Sequence, residues 1–315
     1  MKTILVTGSL GHIGVFLTEY LEKMGYNVIG SDVMMRDADN YVRADITSFE
    51  DLYRIFKKDR IDIVIHMGAE VGRMRGEEYP QKMVYVNDVG TINVVNLCLD
   101  CGTRLVYFST SEVYGRLFDD GQTIVEEDLE KGSAFTTTNI YAMSKLFGEA
   151  IVRHHVENYD LNAVTIRPFM IYGPGEYPSK YRTAICNFVH QALTGQKITV
   201  HKGAERAWCY IDDFVEGVQL VMNTKFSGNY EAYNIGSDET HTMEEVARVI
   251  IDETKGSENQ IEIIEPPSQF MSLVKRFSID KVRKLGYRPR ISLKKGVHNV
   301  VEWQKKEVLR HQSFS

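Results

Sequence analysis

Short apolar runs alternate with amphipathic segments along the first half of the chain. The runs have the length of buried strands, whereas the segments between them repeat apolar residues at helical spacing. Strands are predicted at Thr3–Thr7, Asn27–Ser31, Ile61–His66, Arg104–Ser109 and Ala163–Arg167, and helices near His12–Met24, Ser48–Lys57, Val86–Cys101 and Tyr141–Tyr159. Because strands and helices that alternate in this way form βαβ units, the sequence predicts an α/β fold with a doubly wound parallel sheet.

From about Ile171 the pattern changes, and Gly and Pro residues at 173–178 predict a loop. Shorter elements follow: helices near Arg182–Leu193, Asp213–Asn223, Met243–Thr254 and Val297–Glu307, and strands near Ile198–His201, Tyr210–Ile211, Tyr233–Ile235 and Ile261–Ile264. This half predicts a smaller α+β region over the crevice at the carboxyl ends of the strands, where open α/β sheets bind ligands.

Three glycines follow the first predicted strand directly. Gly8, Gly11 and Gly14 stand between the run Ile4–Val6 and a helical pattern, an order typical of a turn that holds a dinucleotide pyrophosphate. Asp32, at the end of the second strand, can accept hydrogen bonds from the adenine ribose and would repel a 2′-phosphate. The sequence therefore predicts NAD rather than NADP; the alternative is a structural turn without a ligand.

Length and composition allow one large domain or two coupled ones, since 43% of the 315 residues are hydrophobic. We assign residues 1–170, with returning segments near 207–236, to a Rossmann-type NAD-binding domain, and residues 171–206 and 237–315 to a substrate-binding domain.

The net charge of −6 argues against a nucleic-acid partner. No apolar stretch reaches about twenty residues and no signal-peptide pattern is present, so we expect a cytoplasmic protein with no membrane partner. The four cysteines predict neither a disulfide scaffold nor a metal site.

Tyr141 and Lys145 stand four residues apart and therefore share one face of a predicted helix. A Lys ammonium beside a phenol lowers the pKa of the phenol, and a positive nicotinamide ring would lower it further. We therefore expect Tyr141 to act as a general base near neutral pH. Tyr53 and Lys57 have the same spacing, but they lie on an early crossover helix that is expected to pack outside the sheet.

Polar residues follow the strand at Arg104–Ser109. Thr110 or Ser111 could hydrogen-bond the substrate hydroxyl that Tyr141 deprotonates, and Glu112 could remove a proton from carbon. The alternative is a hydroxyl-rich turn with a solvated glutamate.

Further motifs occur in order along nearly the whole chain. They are Thr7–Gly14 with the spacing T-G-x-x-G-x-x-G, Asp32, Asp45-Ile46, His66, Asn87, Tyr141-x-x-x-Lys145, Arg167-Pro168, Ile171–Gly175, Glu205–Asp213, Tyr233–Gly236 and Arg276–Asp280. Together they resemble the extended short-chain dehydrogenase/reductase superfamily and its NAD-dependent nucleotide-sugar epimerases and dehydratases.

The resemblance implies a common first step. Tyr141 takes the proton of the sugar O4 while hydride passes from C4 to tightly held NAD, Lys145 binds the nicotinamide ribose, and Thr110 steadies O4. The resulting 4-keto sugar can be reduced to a 4-epimer, can lose its C6 hydroxyl after removal of H5, or can lose carbon dioxide from a C6 carboxylate.

The expected site residues fall into three groups. The catalytic group is Tyr141, Lys145, Thr110, Ser111 and Glu112. The cofactor-binding group is Gly8, Gly11, His12, Ile13, Gly14, Asp32, Asp45, Ile46, Met67, Gly68, Ala69, Asn87, Ser109, Tyr141, Lys145 and Pro168. The substrate-binding group is Glu70, Arg182, Arg206 and Arg276.

Local features bear on the outcome of the reaction. By the same resemblance, Glu112 favours chemistry at C5, because simple 4-epimerases usually lack this Glu. Ser111 stands where dehydratases of the dTDP-glucose type have the Asp that protonates the leaving hydroxyl. Met170 replaces an Asn that usually contacts the substrate diphosphate, so we expect Arg206 and Arg276 to carry more of that contact. For both arginines the alternative is an ion pair within the protein.

The sequence therefore predicts an NAD-dependent nucleotide-sugar epimerase/dehydratase. One alternative is a decarboxylase of a nucleotide uronic acid, and a second is a non-catalytic NAD-binding protein. A homodimer through the Tyr141 helix and the helix before it is expected by analogy with the superfamily.

Overall fold

The computed structural model describes residues 1–119, 121–131, 136–266 and 273–307. The strands within these ranges are β1 (Thr3–Thr7), β2 (Asn27–Asp32), β3 (Tyr41–Arg43), β4 (Ile63–His66), β5 (Arg104–Phe108), β6 (Thr123–Ile124), β7 (Ala163–Pro168), β8 (Ile171–Tyr172), β9 (Ile198–His201), β10 (Glu205–Ala207), β11 (Cys209–Tyr210), β12 (Ala232–Ile235), β13 (Thr240–Thr242), β14 (Ile261–Ile264) and β15 (Val274–Phe277).

The α-helices are α1 (His12–Lys23), α2 (Phe49–Lys58), α3 (Arg73–Glu78), α4 (Pro80–Val84), α5 (Gly90–Cys101), α6 (Ile140–Tyr159), α7 (Ala184–Leu193), α8 (Ile211–Met222), α9 (Met243–Thr254), α10 (Asp280–Arg283) and α11 (Leu293–Glu307). A π-helical segment at Tyr85–Val89 precedes α5, and 3-10 segments lie at Ser111–Phe118, Glu126–Lys131 and Glu258–Gln260. Among the described helices, none has the length and apolar character needed to cross a bilayer.

Seven parallel strands form the large sheet in the order β12–β7–β5–β4–β1–β2–β3. The order reverses beside β1, as in doubly wound sheets, and this confirms the predicted fold class. The pattern did not predict β3, which has three residues, lies at the sheet edge and contains no fully buried residue. It also predicted one continuous helix from Val86, whereas the segment before α5 has π-helical geometry.

Both faces of the large sheet are buried. Along β1, Ile4 and Val6 belong to the core on one face, and Leu5 belongs to the core on the other. The first of these cores continues without interruption into the second half of the chain, through residues such as Trp208 and Phe277. One apolar interior therefore joins the large sheet to the elements that cover it.

A smaller sheet of four strands has the order β13–β10–β15–β6. In it β10 pairs antiparallel with β13 and parallel with β15, and β15 pairs parallel with β6. Since β6 comes from the first half of the chain and β12 extends the large sheet from the second half, the two halves exchange strands.

Helix α6 lies close against β5. A Cβ atom added to Gly148 would stand 2.0 Å from the hydroxyl oxygen of Tyr107, so the contact requires glycine at this position. The side chain of Asn139 caps the start of α6 by accepting a hydrogen bond from the backbone N–H of Ala142 at 2.9 Å. These two contacts fix the first turn of α6, which carries Tyr141, relative to the end of β5.

Candidate functional site

The glycine turn after β1 has no room for side chains. Gly8 has φ +72°, and a Cβ there would lie 2.8 Å from the backbone nitrogen of Gly68. A Cβ on Gly14 would lie 2.3 Å from the carbonyl oxygen of Gly8. The turn, with Gly11 at its centre, thus forms a bare backbone cradle at the start of α1, which fits the pyrophosphate of NAD.

Asp32 lies beside this turn, at the end of β2. Its carboxylate accepts hydrogen bonds from the backbone N–H groups of Leu10 at 3.2 Å and Met34 at 3.3 Å. The hydroxyl of Tyr41 donates to the Asp32 carbonyl oxygen at 3.1 Å. Asp32 is therefore held beside the glycine turn, and its contact with the adenine ribose stays a prediction.

The other predicted cofactor residues cluster around the same edge of the large sheet. Ile13 lies in α1, Asp45 and Ile46 follow β3, Met67, Gly68 and Ala69 follow β4, Ser109 follows β5, and Pro168 ends β7. His12 opens α1, and its Nε2 lies 2.8 Å from the carbonyl oxygen of Pro174, while burial lowers its pKa. The side chain of His12 thereby joins the glycine turn to the loop after β8.

Asn87 fastens the loop after β4 to α6. Its side-chain amide donates to Ser144 Oγ at 2.9 Å and to the Glu70 carbonyl oxygen at 3.0 Å, and its Oδ1 accepts from the Glu70 N–H at 2.8 Å. The Asn87 side chain thus connects the backbone of Glu70 to Ser144 on α6. Its predicted contact with the cofactor stays a prediction.

Thr110, Tyr141 and Lys145 come together at the carboxyl end of β5. The hydroxyls of Thr110 and Tyr141 are close enough to interact, and the Lys145 ammonium lies 4.7 Å from the ring centroid of Tyr107. All three of these predicted catalytic side chains are buried. In contrast, Tyr53 is exposed on α2, so the two Tyr/Lys pairs of equal spacing have different surroundings.

The acidity of Tyr141 differs from the sequence-based expectation. Burial raises its pKa to about 12, and Glu112 also raises it, although the Thr110 hydroxyl lowers it. Burial lowers the pKa of Lys145 to about 8, while Glu149 and Asp88 act in the opposite direction. The expected lowering of the phenol pKa by Lys145 is therefore wrong for the protein's own groups, because burial determines the direction of the shift and Lys145 is not among its causes.

Glu112 is not the solvated side chain that the alternative interpretation described. Its side chain is 22% exposed and forms an ion pair with Lys275, and the Asn139 amide donates to it at 3.4 Å. Burial would raise its pKa, but Lys275, Arg206 and Arg73 together bring the pKa below its ordinary value. Glu112 is therefore a carboxylate at neutral pH. Ser111, immediately before it, is buried.

Strand register decides which cations face Glu112. Arg206 on β10 is paired with Lys275 on β15, so these two side chains share one face of the small sheet. Arg276 points to the other face, where it makes two hydrogen bonds to the Glu205 carboxylate at 2.9 and 2.8 Å. Arg276 is thus in the ion pair named as the alternative, and Lys275 takes the position that faces the crevice. Sequence reasoning missed Lys275, because the pairing of β15 with β10, which decides between Lys275 and Arg276, is not visible in the sequence.

The remaining predicted substrate residues are Glu70, in the loop after β4, and Arg182, just before α7. Glu70 pairs with Arg75 and with Lys82, the latter at 2.6 Å. Arg182 precedes α7 and lowers the pKa of His12 through its charge. Met170 has φ +48°, a left-handed conformation that Asn adopts far more readily than Met.

A parallel doubly wound sheet with a glycine cradle and a buried Tyr/Lys pair defines a Rossmann-fold protein of the extended short-chain dehydrogenase/reductase type. The model of the NAD dependent epimerase/dehydratase family matches residues 4–236, and the chain belongs to this family.

Three proteins illustrate the similarity. The chain is 28% identical to the dTDP-D-glucose 4,6-dehydratase of Mus musculus, over 97% of this chain and 89% of that protein. It is 26% identical to UDP-glucuronic acid decarboxylase 1 of Xenopus tropicalis, over 99% of this chain and 74% of that protein. The structure of the Thermus thermophilus UDP-glucose 4-epimerase in complex with NAD superposes with a TM-score of 0.83 at 25% identity, covering 97% of this chain and all of that one. These relatives are named for different reactions, so membership of the family does not specify which reaction this protein catalyses.

Proposed function

We propose that the protein oxidises the C4 hydroxyl of a nucleotide sugar and then acts at C5 of the 4-keto sugar, as an epimerase or dehydratase. The observation that carries this proposal is the grouping of Tyr141, Thr110 and Glu112 at the end of β5, beside the glycine cradle. A non-catalytic NAD-binding protein would not need these three side chains at one place.

The cofactor residues proposed here fit NAD by their geometry. Gly8, Gly14 and Gly68 leave no space for a Cβ without displacing a neighbour, which suits close approach of backbone to phosphates. Bound NAD would accept the C4 hydride and add positive charge near the phenol. Such a charge opposes the effect of burial on the pKa of Tyr141.

The protein's own residues then divide the proton transfers. Tyr141 accepts the O4 proton while the neighbouring Thr110 hydroxyl steadies the oxygen. Lys145, buried one turn further along α6, is assigned to the nicotinamide ribose. Glu112, already ionised, takes the proton from C5, which the adjacent ketone makes acidic.

Decarboxylation of a nucleotide uronic acid is the second candidate. Lys275, Arg206 and Arg73 surround the single carboxylate of Glu112 at the sugar end of the crevice. A sugar that carries a C6 carboxylate would be attracted by this positive charge.

Incubation with UDP-, dTDP-, GDP- and CDP-linked sugars in deuterated water, followed by NMR, tests the proposal. We expect deuterium at C5 of the product, and we expect Glu112→Gln to abolish its incorporation. A product changed at C4 without deuterium would show simple 4-epimerisation, and loss of carbon dioxide from a uronate would show the second candidate. A purified protein that contains no NAD and also gives a flat calorimetric titration with NAD would overturn both.

We further propose a homodimer through α5 and α6. Exposed apolar side chains are Met143 and Phe147 on α6, Ile92 on α5, and Val84 and Tyr85 in the turns just before α5. A second copy of the same face would cover them, as a two-fold interface does.

Phe147→Glu is expected to convert the dimer to a monomer, because it places a charge in the centre of the covered apolar face. Light scattering after size-exclusion chromatography measures the mass. Tyr53→Glu, which changes an exposed aromatic residue on α2, is the matched control and should stay dimeric. A wild-type protein that is monomeric at micromolar concentration would contradict the proposal.

A further inference from the structure

Lys275 reaches Glu112 from the opposite side of the crevice. It lies on β15 of the small sheet, whereas Glu112 follows β5 of the large sheet. The side chains are 13% and 22% exposed, and the ammonium lies 5.3 Å from the ring centroid of Phe118. A largely buried Lys of this kind requires a counter-charge, and Glu112 supplies it.

The backbone fixes this arrangement. Lys275 is paired with Arg206 in register. Because side chains alternate along β15, Lys275 points towards Glu112 and the next residue, Arg276, points towards Glu205. Since β15 also pairs with β6, which precedes the 3-10 segment at Glu126–Lys131, the strand is held on both edges. A shift of one residue would exchange the two cations.

The groups that face Glu112 come from every element around it. Lys275 contacts Oε1, and the Asn139 amide lies 3.4 Å from Oε2, so each carboxylate oxygen has a donor. Arg206 from β10 and Arg73 from α3 add positive charge, and Tyr141 lies close enough for its pKa to be raised by Glu112. The orientation of the carboxylate is therefore set by two opposing contacts, one from the small sheet and one from the start of α6.

We propose that Lys275 is a positioning residue that holds the Glu112 carboxylate oriented for proton removal at C5. The inference rests on the proposed function. In the step it serves, the C5–H bond breaks, the proton bonds to a Glu112 oxygen, and the electron pair moves to the C4 ketone oxygen. The pKa of Glu112, lowered chiefly by Lys275 against the effect of burial, agrees with an ionised base before the step.

The first test measures the ionisation of Glu112 directly. In protein labelled with 13C at the glutamate carboxyl groups, Glu112→Gln identifies the signal of Glu112, and its midpoint is followed by NMR titration. Lys275→Met is expected to raise the midpoint by about one pH unit or more, whereas Lys275→Arg keeps the charge and should leave it nearly unchanged. An unaltered midpoint in Lys275→Met would overturn the inference.

The second test follows deuterium incorporation at C5 with UDP-glucose, dTDP-glucose and UDP-glucuronic acid as probes. We expect Lys275→Met to incorporate deuterium at least ten-fold more slowly, with the acid limb of its pH profile moved upwards, and Lys275→Arg to recover most of the rate. Equal melting temperatures and NAD affinities establish that the variants are folded.

The outcomes separate the two ideas. If Glu112→Gln stops exchange while Lys275→Met exchanges like the wild type, the role of Lys275 is refuted and the proposed function stands. If Glu112→Gln exchanges normally, the C5 step of the proposed function is refuted, and the role of Lys275 with it.

Discussion

Tyr141→Phe is expected to reduce turnover by roughly 10²–10⁴-fold, the usual contribution of a positioned acid–base group. The change removes one oxygen, which lies beside the Thr110 hydroxyl in the buried first turn of α6. Nothing in the glycine cradle depends on that oxygen, so NAD affinity should stay within a few-fold of the wild type. Turnover of the nucleotide-sugar panel and calorimetry with NAD measure the two effects.

The chain contains its own control for this experiment. Tyr53 precedes Lys57 by four residues, as Tyr141 precedes Lys145, but Tyr53 is exposed on α2. Tyr53→Phe should therefore leave turnover unchanged. Full activity in Tyr141→Phe would show that another group accepts the proton, and it would remove the basis of the proposed mechanism.

Local spacing was sufficient to predict the parts of the site that one segment supplies. The glycine turn and the first strand with its helix are contiguous in sequence, and their steric requirement is local. Asp32 follows from the length of one βα unit. The same holds for the face shared by Tyr141 and Lys145, since helical geometry alone brings them together.

Features that depend on contacts between distant segments were not predictable in this way. Lys275 faces Glu112 because β15 pairs with β10 in one register, and the sequence does not show that pairing. The raised pKa of Tyr141 depends on burial by several elements, whereas the spacing predicted the opposite direction. The strands β3 and β6 have three and two residues, too few for an alternating pattern to be recognised.

A buried ion pair between β7 and α6 is expected to make a large contribution to the stability of the fold. Arg167 on β7 and Glu149 on α6 are 3% and 4% exposed, and they are joined by hydrogen bonds of 2.7 to 3.2 Å. Arg167 also donates to the Tyr114 hydroxyl, and the Tyr230 hydroxyl donates to Glu149, each at 2.9 Å. Since Glu149 stands one turn after Lys145, the pair ties the catalytic face of α6 to the sheet.

Arg167→Met is expected to lower the free energy of unfolding by about 3–5 kcal/mol, because it leaves the Glu149 carboxylate buried without its partner. Urea denaturation measures this change. Arg54→Met, which breaks the exposed pair with Glu50 on α2, is the control and should cost at most about 1 kcal/mol.

Two further measurements distinguish a buried charge from a simple loss of packing. Adding Glu149→Gln to Arg167→Met removes the unpaired charge and should recover about 1–3 kcal/mol. In Arg167→Met, the strongest influence that opposes burial is gone, although Tyr230 still donates to Glu149, so the folded pKa of Glu149 is expected to rise above the unfolded value. The folded state then binds protons more readily than the unfolded state, and the deficit relative to the wild type should shrink as the pH falls towards 5. A deficit that is independent of pH and is not reduced in the double variant would show that Arg167 stabilises the fold by packing and not by its charge.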